Sequence, residues 1–590
     1  PAELFDIIGI DFPTFMRMPE MPLRDISPNR MWLLQQEMKR LGYADKPVVH
    51  HETYFPTSHT LALGHRTSAD YFVRFGALAI QLGSEKLANC FSLHDCAGYW
   101  GSQHYGSIGI VGRAPMYNPK EAFAAYATMT RLLDMVKPNG YLPTGSLTSY
   151  CLAFLNQDTT RPYAHVHTLW TVRGERPVTL TFAPGETAVR IDENGNAWPI
   201  ELTAENQATL TLTPTPFWIT TTQPIQAAAV GDPVHREAPQ GPTRELATFH
   251  AGWKLAAAPY TRLESNNPVL APFAAGPMAL ETVDFGGRPA LQVALRETPE
   301  SRPTVDWYGV LEPAAPLAIA GQARALGLYV KGASSWGRVI YEIEDAKGER
   351  WLSTGAPNNW NGDDSAQRSY FNFDGARYVE FPLPRSAPYD GYRDYENVWW
   401  GHDQEGIVDL PIKLTKVVIT HRTHHVYVNE LLAIPDPSVV LDRLVAVYDR
   451  EDDLTELPVE RQRLATLRIE PPDPALLPNP VKQLQATSDL PAPSIVRFFK
   501  PDAWYDGTQI MVEISKAEGD VRAYNIYVSA YEDGTGASRL STGAEPTQLV
   551  RRLRPEFPLY FFATYTNARR QESKPSAVQR LLLKDDFPNK

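Results

Sequence analysis

The stretch KPVVHHETYFPTS, residues 46–58, ends a β-prone run in His50, His51 and Glu52 before breaking into polar loop. A carboxylate held at the open end of a strand can attack an electrophilic carbon or trade a proton with a leaving group. Imidazoles beside it can shuttle protons or ligate a metal. Two other runs close the same way: FDIIGIDF (5–12) reaches Asp11, and ANCFSLHD (88–95) reaches His94 and Asp95. As carboxyl ends of neighbouring parallel strands, Asp11, Glu52, His94 and Asp95 would share one rim. A solvated loop cap explains Asp11 and Asp95 as well as a site does. Glu52 is harder to dismiss, because His50, His51 and Tyr54 flank it and such polar density is costly to bury without a use.

The elements that must position these residues alternate. SPNRMWLLQQEMKRLG (27–42) predicts a helix capped by Ser27, with Pro28 in its first turn, Met31, Leu34, Met38 and Leu41 on one face, and Gly42 as its stop. TSADYFVRFGALAIQLG (67–83) predicts a second helix, closed by Gly83. Asn118, Pro119 and Glu121 predict the cap, first turn and capping-box partner of a third, running to Leu133. Strand–helix alternation means parallel strands with crossover helices, and ligands of such folds sit at the strands' carboxyl ends.

A metal reading uses the same residues. His50 and Glu52 share a face under strict alternation, and with His94 from the next strand they could form a His2Glu set, with His51 and His104 nearby. No helix-borne zinc signature accompanies them. This leaves a His/Glu metallohydrolase as one alternative.

Residues 5–137 resemble the last three βα units of a clan A glycoside hydrolase, a (β/α)8 barrel, and within that clan the β-xylosidase and iduronidase family. VVHHETYFPTS is similar to its strand-seven motif. CFSLHDCAGYW, Gly109-Ile110-Val111, Pro119-Lys120 and the helix from Phe123 to Leu133 are similar to strand eight and its sequel. The resemblance implies that Glu52 is the nucleophile of a retaining glycosidase, whose two carboxyls stand ~5–5.5 Å apart. It places the acid/base glutamate after strand four, which is not in the sequence. Five strands are therefore expected upstream of Pro1 or on a second polypeptide that completes the barrel. Asp11, His50, Tyr54, His94, Asp95 and Trp100 are the candidate substrate contacts. A catalytically inert carbohydrate-binding or surface scaffold is the other alternative.

Downstream the pattern turns to period two. YAHVHTLWTV, VTLTF and ATLTLTPTPFWITT, with the hairpin signal Asn194-Gly195, predict a β-sandwich over 138–262 with Trp170, Trp198 and Trp218 in its core. Residues 263–450 resemble galactose-binding-like, jelly-roll sandwiches. There Trp360 with Asn358, and Trp399 with Trp400, are candidate sugar platforms, and the NGDD at 361–364 a candidate structural calcium site. A proline-rich spacer (451–494) precedes a segment (495–590) that resembles a fibronectin type III module, with Leu559, Phe561 and Ala563 alternating along one strand. The expected fold class is thus multidomain α/β plus all-β.

The totals agree with this reading without selecting it. In 590 residues, 51 prolines and 38 glycines suit many turns and short strands. A formal charge of −12 argues against a nucleic-acid groove, and no apolar run is long enough to span a bilayer. Cys90 and Cys96, on one predicted strand roughly 20 Å apart, cannot pair there, and no zinc spacing involves the third cysteine, Cys151. No cofactor is expected beyond the candidate calcium. Carbohydrate chemistry implies a secreted, periplasmic or cell-surface location.

Overall fold

The computed structural model describes residues 6–11, 18–21, 28–53, 55–57, 64–87, 93–95, 108–112, 118–257, 260–264, 273–296, 303, 305–353, 369–383, 399–401, 408–450, 473–501, 507–551, 553–555 and 557–588, with the backbone alone for Asp11, His51, Glu52 and Trp400. The chain divides into two units, the second carrying Arg463–Lys590.

The first unit begins with an α/β layer. Strands β1 (Ile8–Asp11), β2 (Val48–Glu52) and β3 (Ser84–Leu87) form a parallel sheet in the order β1-β2-β3. Helices α1 (Asn29–Leu41), α2 (Gly64–Gln81) and α3 (Glu121–Leu133) alternate with them. The described sheet is open and three-stranded; a closed barrel is not seen among the described residues. The third strand also differs from expectation. It lies at Ser84–Leu87, directly after α2, and not at 88–95, most of which falls outside the described residues.

Helix α2 is buried on nearly every side, from Ser68 and Ala69 through Phe72, Val73, Phe75 and Leu78 to Gln81. A helix with that pattern must be covered on both faces. On one side Phe75 meets the ring of His50 on β2. On the other, Gln81 donates its side-chain amide to the carbonyl of Ala153 in the following sandwich. Helix α1 buries only Met31 and Met38 of its predicted stripe, while Leu34 is partly buried and Leu41 is exposed. Gly42 ends it in the left-handed conformation at φ 80°, as its sequence suggests.

The first sandwich pairs β4 (Val136–Tyr141), β5 (Ser149–Asn156), β6 (His165–Thr171), β8 (Val189–Ile191), β9 (Ala197–Pro199) and β11 (Phe217–Thr221) in the order β4-β5-β6-β11-β8-β9. It stacks against β7 (Arg176–Thr181), β10 (Gln207–Leu212) and β12 (Ala227–Val230), in the order β10-β7-β12. The turn 192–196 carries the expected hairpin, with Asp192 Oδ1 accepting from the backbone of Asn194 and Asn196. Trp170 and Trp218 are core residues, whereas Trp198, on the edge strand β9, is half exposed. An edge strand offers no second neighbour to cover such a ring.

The second sandwich starts earlier than its sequence suggests. Thr243–Thr248 pairs with Ser438–Val447, and Trp253–Leu255 pairs with Asp306–Pro313, so both strands join the second sandwich and not the first. One sheet runs Met278–Asp284, Pro289–Leu295, Ser438–Val447, Ala325–Ala333, Asp374–Pro382. The other has Ile412–His421 and Asp306–Pro313 at its centre. Tyr427 ties this sandwich to the first: its ring stacks on Tyr150 at 4.4 Å and its hydroxyl donates to Ser149 O at 2.7 Å. The Arg176–Asp374 ion pair, 2.6 Å, is a second tie.

The second unit is a sandwich of three plus four strands. Ile510, Val512, Ile526, Phe561 and Ala563 are in its core, and Leu559 is partly buried. The described end of the proline-rich segment is not an extended spacer. Asn479 caps a helix, Pro480–Thr487, by accepting from Lys482 N at 3.1 Å, with Pro480 in its first turn.

Candidate functional site

The parallel sheet brings two carboxylate-bearing residues into register. Ile8 pairs with Val48, Gly9 with Val49 and Ile10 with His50; the register then slips by one, and Asp11 pairs with Glu52. The extra residue on β2 is His51. Across that slip the period-two rule no longer carries from His50 to Glu52, so the shared face on which the metal reading rested does not follow. Asp11 and Glu52 sit side by side at the carboxyl ends of adjacent strands.

His50 corrects an expectation. Read as a substrate contact, it is fully buried between β2 and α2. Its Nδ1 lies 2.9 Å from Ser84 Oγ, and its ring meets Phe75 edge-on at 5.4 Å. The imidazole therefore belongs to the strand–helix interface, where the apolar neighbours that exclude water also exclude a sugar.

His94 and Asp95 reach the rim by another route. His94 bridges Val111 in parallel fashion, and Asp95 N donates to Val111 O at 3.0 Å. Gly109 packs so tightly on this segment that a Cβ there would lie 2.3 Å from the carbonyl carbon of His94. The Gly109-Ile110-Val111 signal thus has a steric cause: only glycine lets the two backbones approach. His94 is exposed, with Nδ1 3.0 Å from Asp95 O. Asp95 Oδ1 accepts from Lys120 Nζ at 2.6 Å and from Gly109 N at 3.1 Å.

Lys120 is the rim residue that sequence reasoning missed. It was read as part of the helix entry, with Asn118 as cap. In fact Lys120 occupies the N-cap of α3 with no side-chain cap bond. Its ammonium instead donates to Asp95 and, at 2.7 Å, to Thr57 Oγ1 in the loop after β2. One buried cation thereby ties the loop carrying the Glu52 strand end to the His94–Asp95 segment. The signal that could have found it is a lysine directly before a helix whose first turn already holds Glu121.

Tyr54, Trp100, Trp360 and Asn358, like His104 and the NGDD sequence, lie outside the described residues. Trp400 pairs through its backbone with Leu352. Trp399 corrects a second expectation. It is fully buried, packs on Phe381 and donates Nε1–H to Pro382 O at 2.9 Å, so it fills the core of the second sandwich and is not a surface platform. Among the described residues no group of three or more His, Cys, Asp or Glu side chains converges as a metal site, and no helix is long and apolar enough to cross a membrane.

No family model and no curated protein matches the sequence. Among solved structures, a family 39 glycoside hydrolase from the gut symbiont Bacteroides cellulosilyticus WH2 is similar at 19% identity and a TM-score of 0.30, over 37% of this chain and 45% of that one. The match therefore spans less than half of the hydrolase. A family 11 carbohydrate-binding module of the cellulosomal cellulase Lic26A-Cel5E of Clostridium thermocellum is similar at 10% identity and a TM-score of 0.20, over 36% of this chain and 98% of that module. A human fibronectin type III domain is similar at 20% identity and a TM-score of 0.13, over 16% of this chain and 84% of the domain.

Proposed function

We propose that the protein acts on carbohydrate as a retaining glycoside hydrolase, with Glu52 as nucleophile. The observation that carries the reading is the placement of Glu52 at the carboxyl end of the central parallel strand, in register with Asp11. In this reading the β1–β3 layer is the last part of a (β/α)8 barrel whose other strands come from upstream sequence or from a second polypeptide, and the acid/base glutamate comes with them. Glu52 attacks the anomeric carbon as the glycosidic bond breaks and the acid protonates the leaving oxygen. Water then releases the sugar from the ester. Asp11, as register neighbour, holds a sugar hydroxyl or sets the proton affinity of Glu52. Asp95 and Lys120 fix the rim, and His94, Tyr54 and Trp100 line the subsite.

The test is Glu52→Gln in the full-length protein, assayed on aryl glycosides. Turnover should fall by roughly 10⁴–10⁶-fold, the scale seen when an enzyme loses its nucleophile, and Glu52→Ala should regain turnover with azide, releasing glycosyl azide. Undiminished hydrolysis by Glu52→Gln would exclude the role.

A further inference from the structure

A second polar cavity lies away from the strand ends. It holds about 190 Å³ and is lined by α2, by the turn between β6 and β7, and by the loop before β11. None of the rim residues Asp11, Glu52, His94, Asp95 and Lys120 lines it. The volume is several times the ~30 Å³ share of a water molecule and below the ~300 Å³ at which drug-sized pockets begin. It suits one small ring.

Two groups in the lining are polar, shielded and incompletely bonded. Asp70, 5% exposed on α2, accepts from Thr215 at Oδ2, while its Oδ1 has no hydrogen-bond partner. Arg173 donates from Nε to Asn372 Oδ1, while its shielded Nη2 has no partner. The other charges nearby are matched: Arg74 binds Glu20, and Arg377 binds Glu237. The cavity therefore offers one strong acceptor and one strong donor. Met18, Val172 and Pro214 make its apolar wall.

That inventory selects a ligand class. An amino-acid zwitterion brings an ammonium needing three acceptors and a carboxylate needing about four donors, which one oxygen and one N–H group cannot supply. A hydroxyl needs little more than one of each, and the C–H face of a sugar ring matches apolar walls. We propose that this cavity is a binding site for a neutral monosaccharide unit, with one hydroxyl donating to Asp70 Oδ1 and another accepting from Arg173 Nη2. The site stands on the cavity alone and does not depend on the role of Glu52. It would hold a sugar against the helix–sandwich junction, remote from the reacting bond.

The experiment uses the full chain. Crystals soaked in D-xylose, D-glucose or D-galactose should show a ring in the cavity, bonded to Asp70 and Arg173. Calorimetric titration of the sugar that binds should show at least tenfold weaker affinity in Asp70→Asn and in Arg173→Gln, the scale of one lost hydrogen bond to a charged group, with Glu52→Gln unchanged at this site. A third readout needs no variant. Burial pushes the Asp70 carboxyl up to about 6 against the opposing charges of Arg74 and Arg66, and Glu193 pushes the same way as burial. Binding should therefore weaken as pH falls from 7 to 5, because a neutral acid is a poorer acceptor. Only water in the soaked cavity, equal affinity in both variants, or tighter binding of glycine than of any of the three sugars would overturn the proposal.

Discussion

Lys120 and Asp95 form an ion pair of 2.6 Å with the lysine side chain 4% exposed and the aspartate 11%. The same ammonium binds Thr57 and the same carboxylate oxygen binds Gly109 N, so four chain segments meet at one pair of charges.

Lys120→Met is expected to lower stability by about 3–5 kcal/mol, because it leaves a largely buried carboxylate without its cation. Lys120→Arg should recover only part of the loss, since a planar fork does not replace a compact ammonium bonded in two directions. Urea unfolding of the variants checks both. A loss below ~1 kcal/mol for Lys120→Met would mean the pair is solvated.

A second buried pair tests how the α/β layer is held to the first sandwich. Glu20 and Arg74 are bonded twice and almost wholly buried, and Trp170 Nε1 donates to Glu20 Oε1 at 2.8 Å. Arg74→Met should cost about 3–5 kcal/mol, whereas Trp170→Phe removes one donor and should cost about 1–3 kcal/mol. The reverse ranking in denaturant titrations would show that Trp170 packing, not the ion pair, dominates the junction.

The pH dependence of stability follows from buried histidines. Burial holds His425 and His167 down at about 3, and His421 at about 4, against ~6.5 for a free imidazole. Their folded-state affinity for protons is depressed, so the unfolded chain binds more protons between pH 6.5 and those values, and stability falls as pH drops through that window. Asp70, raised to about 6, acts in the opposite sense between about 6 and 4. His425 stacks on Trp336 at 4.5 Å, so a phenylalanine can keep the contact. His425→Phe should flatten the slope by close to one proton between pH 6 and 4, read from urea midpoints at several pH values; an unchanged slope would place a charged imidazole in the native state.

Trp399 decides between a packing and a binding role in the second sandwich. Trp399→Ala should cost about 3–5 kcal/mol through the cavity it leaves. Trp399→Phe should keep the fold and leave any glycan binding by this sandwich within about twofold. Loss of binding in a stably folded Trp399→Phe variant would restore the platform role.

Much of the local architecture was legible in the sequence because it depends on near neighbours. The helical stripe of α2, the Asn194-Gly195 hairpin, the alternation of Phe561 and Ala563, and Glu52 closing a strand all follow from spacing alone. The Asn479-Pro480 helix start was equally local, but the surrounding prolines disguised it as spacer. What only the tertiary structure decided is where side chains with two plausible destinations go. His50 and Trp399 are polar-tipped rings that suit a binding surface or a core, and the covering by Phe75 and Phe381, distant in sequence, settles them. The slip at His51 depends on pairing with β1, some forty residues away, and Lys120 reaches Asp95 because Gly109 lets two backbones close. Charge pairing, strand register and burial are relations between segments, and no run of residues carries them by itself.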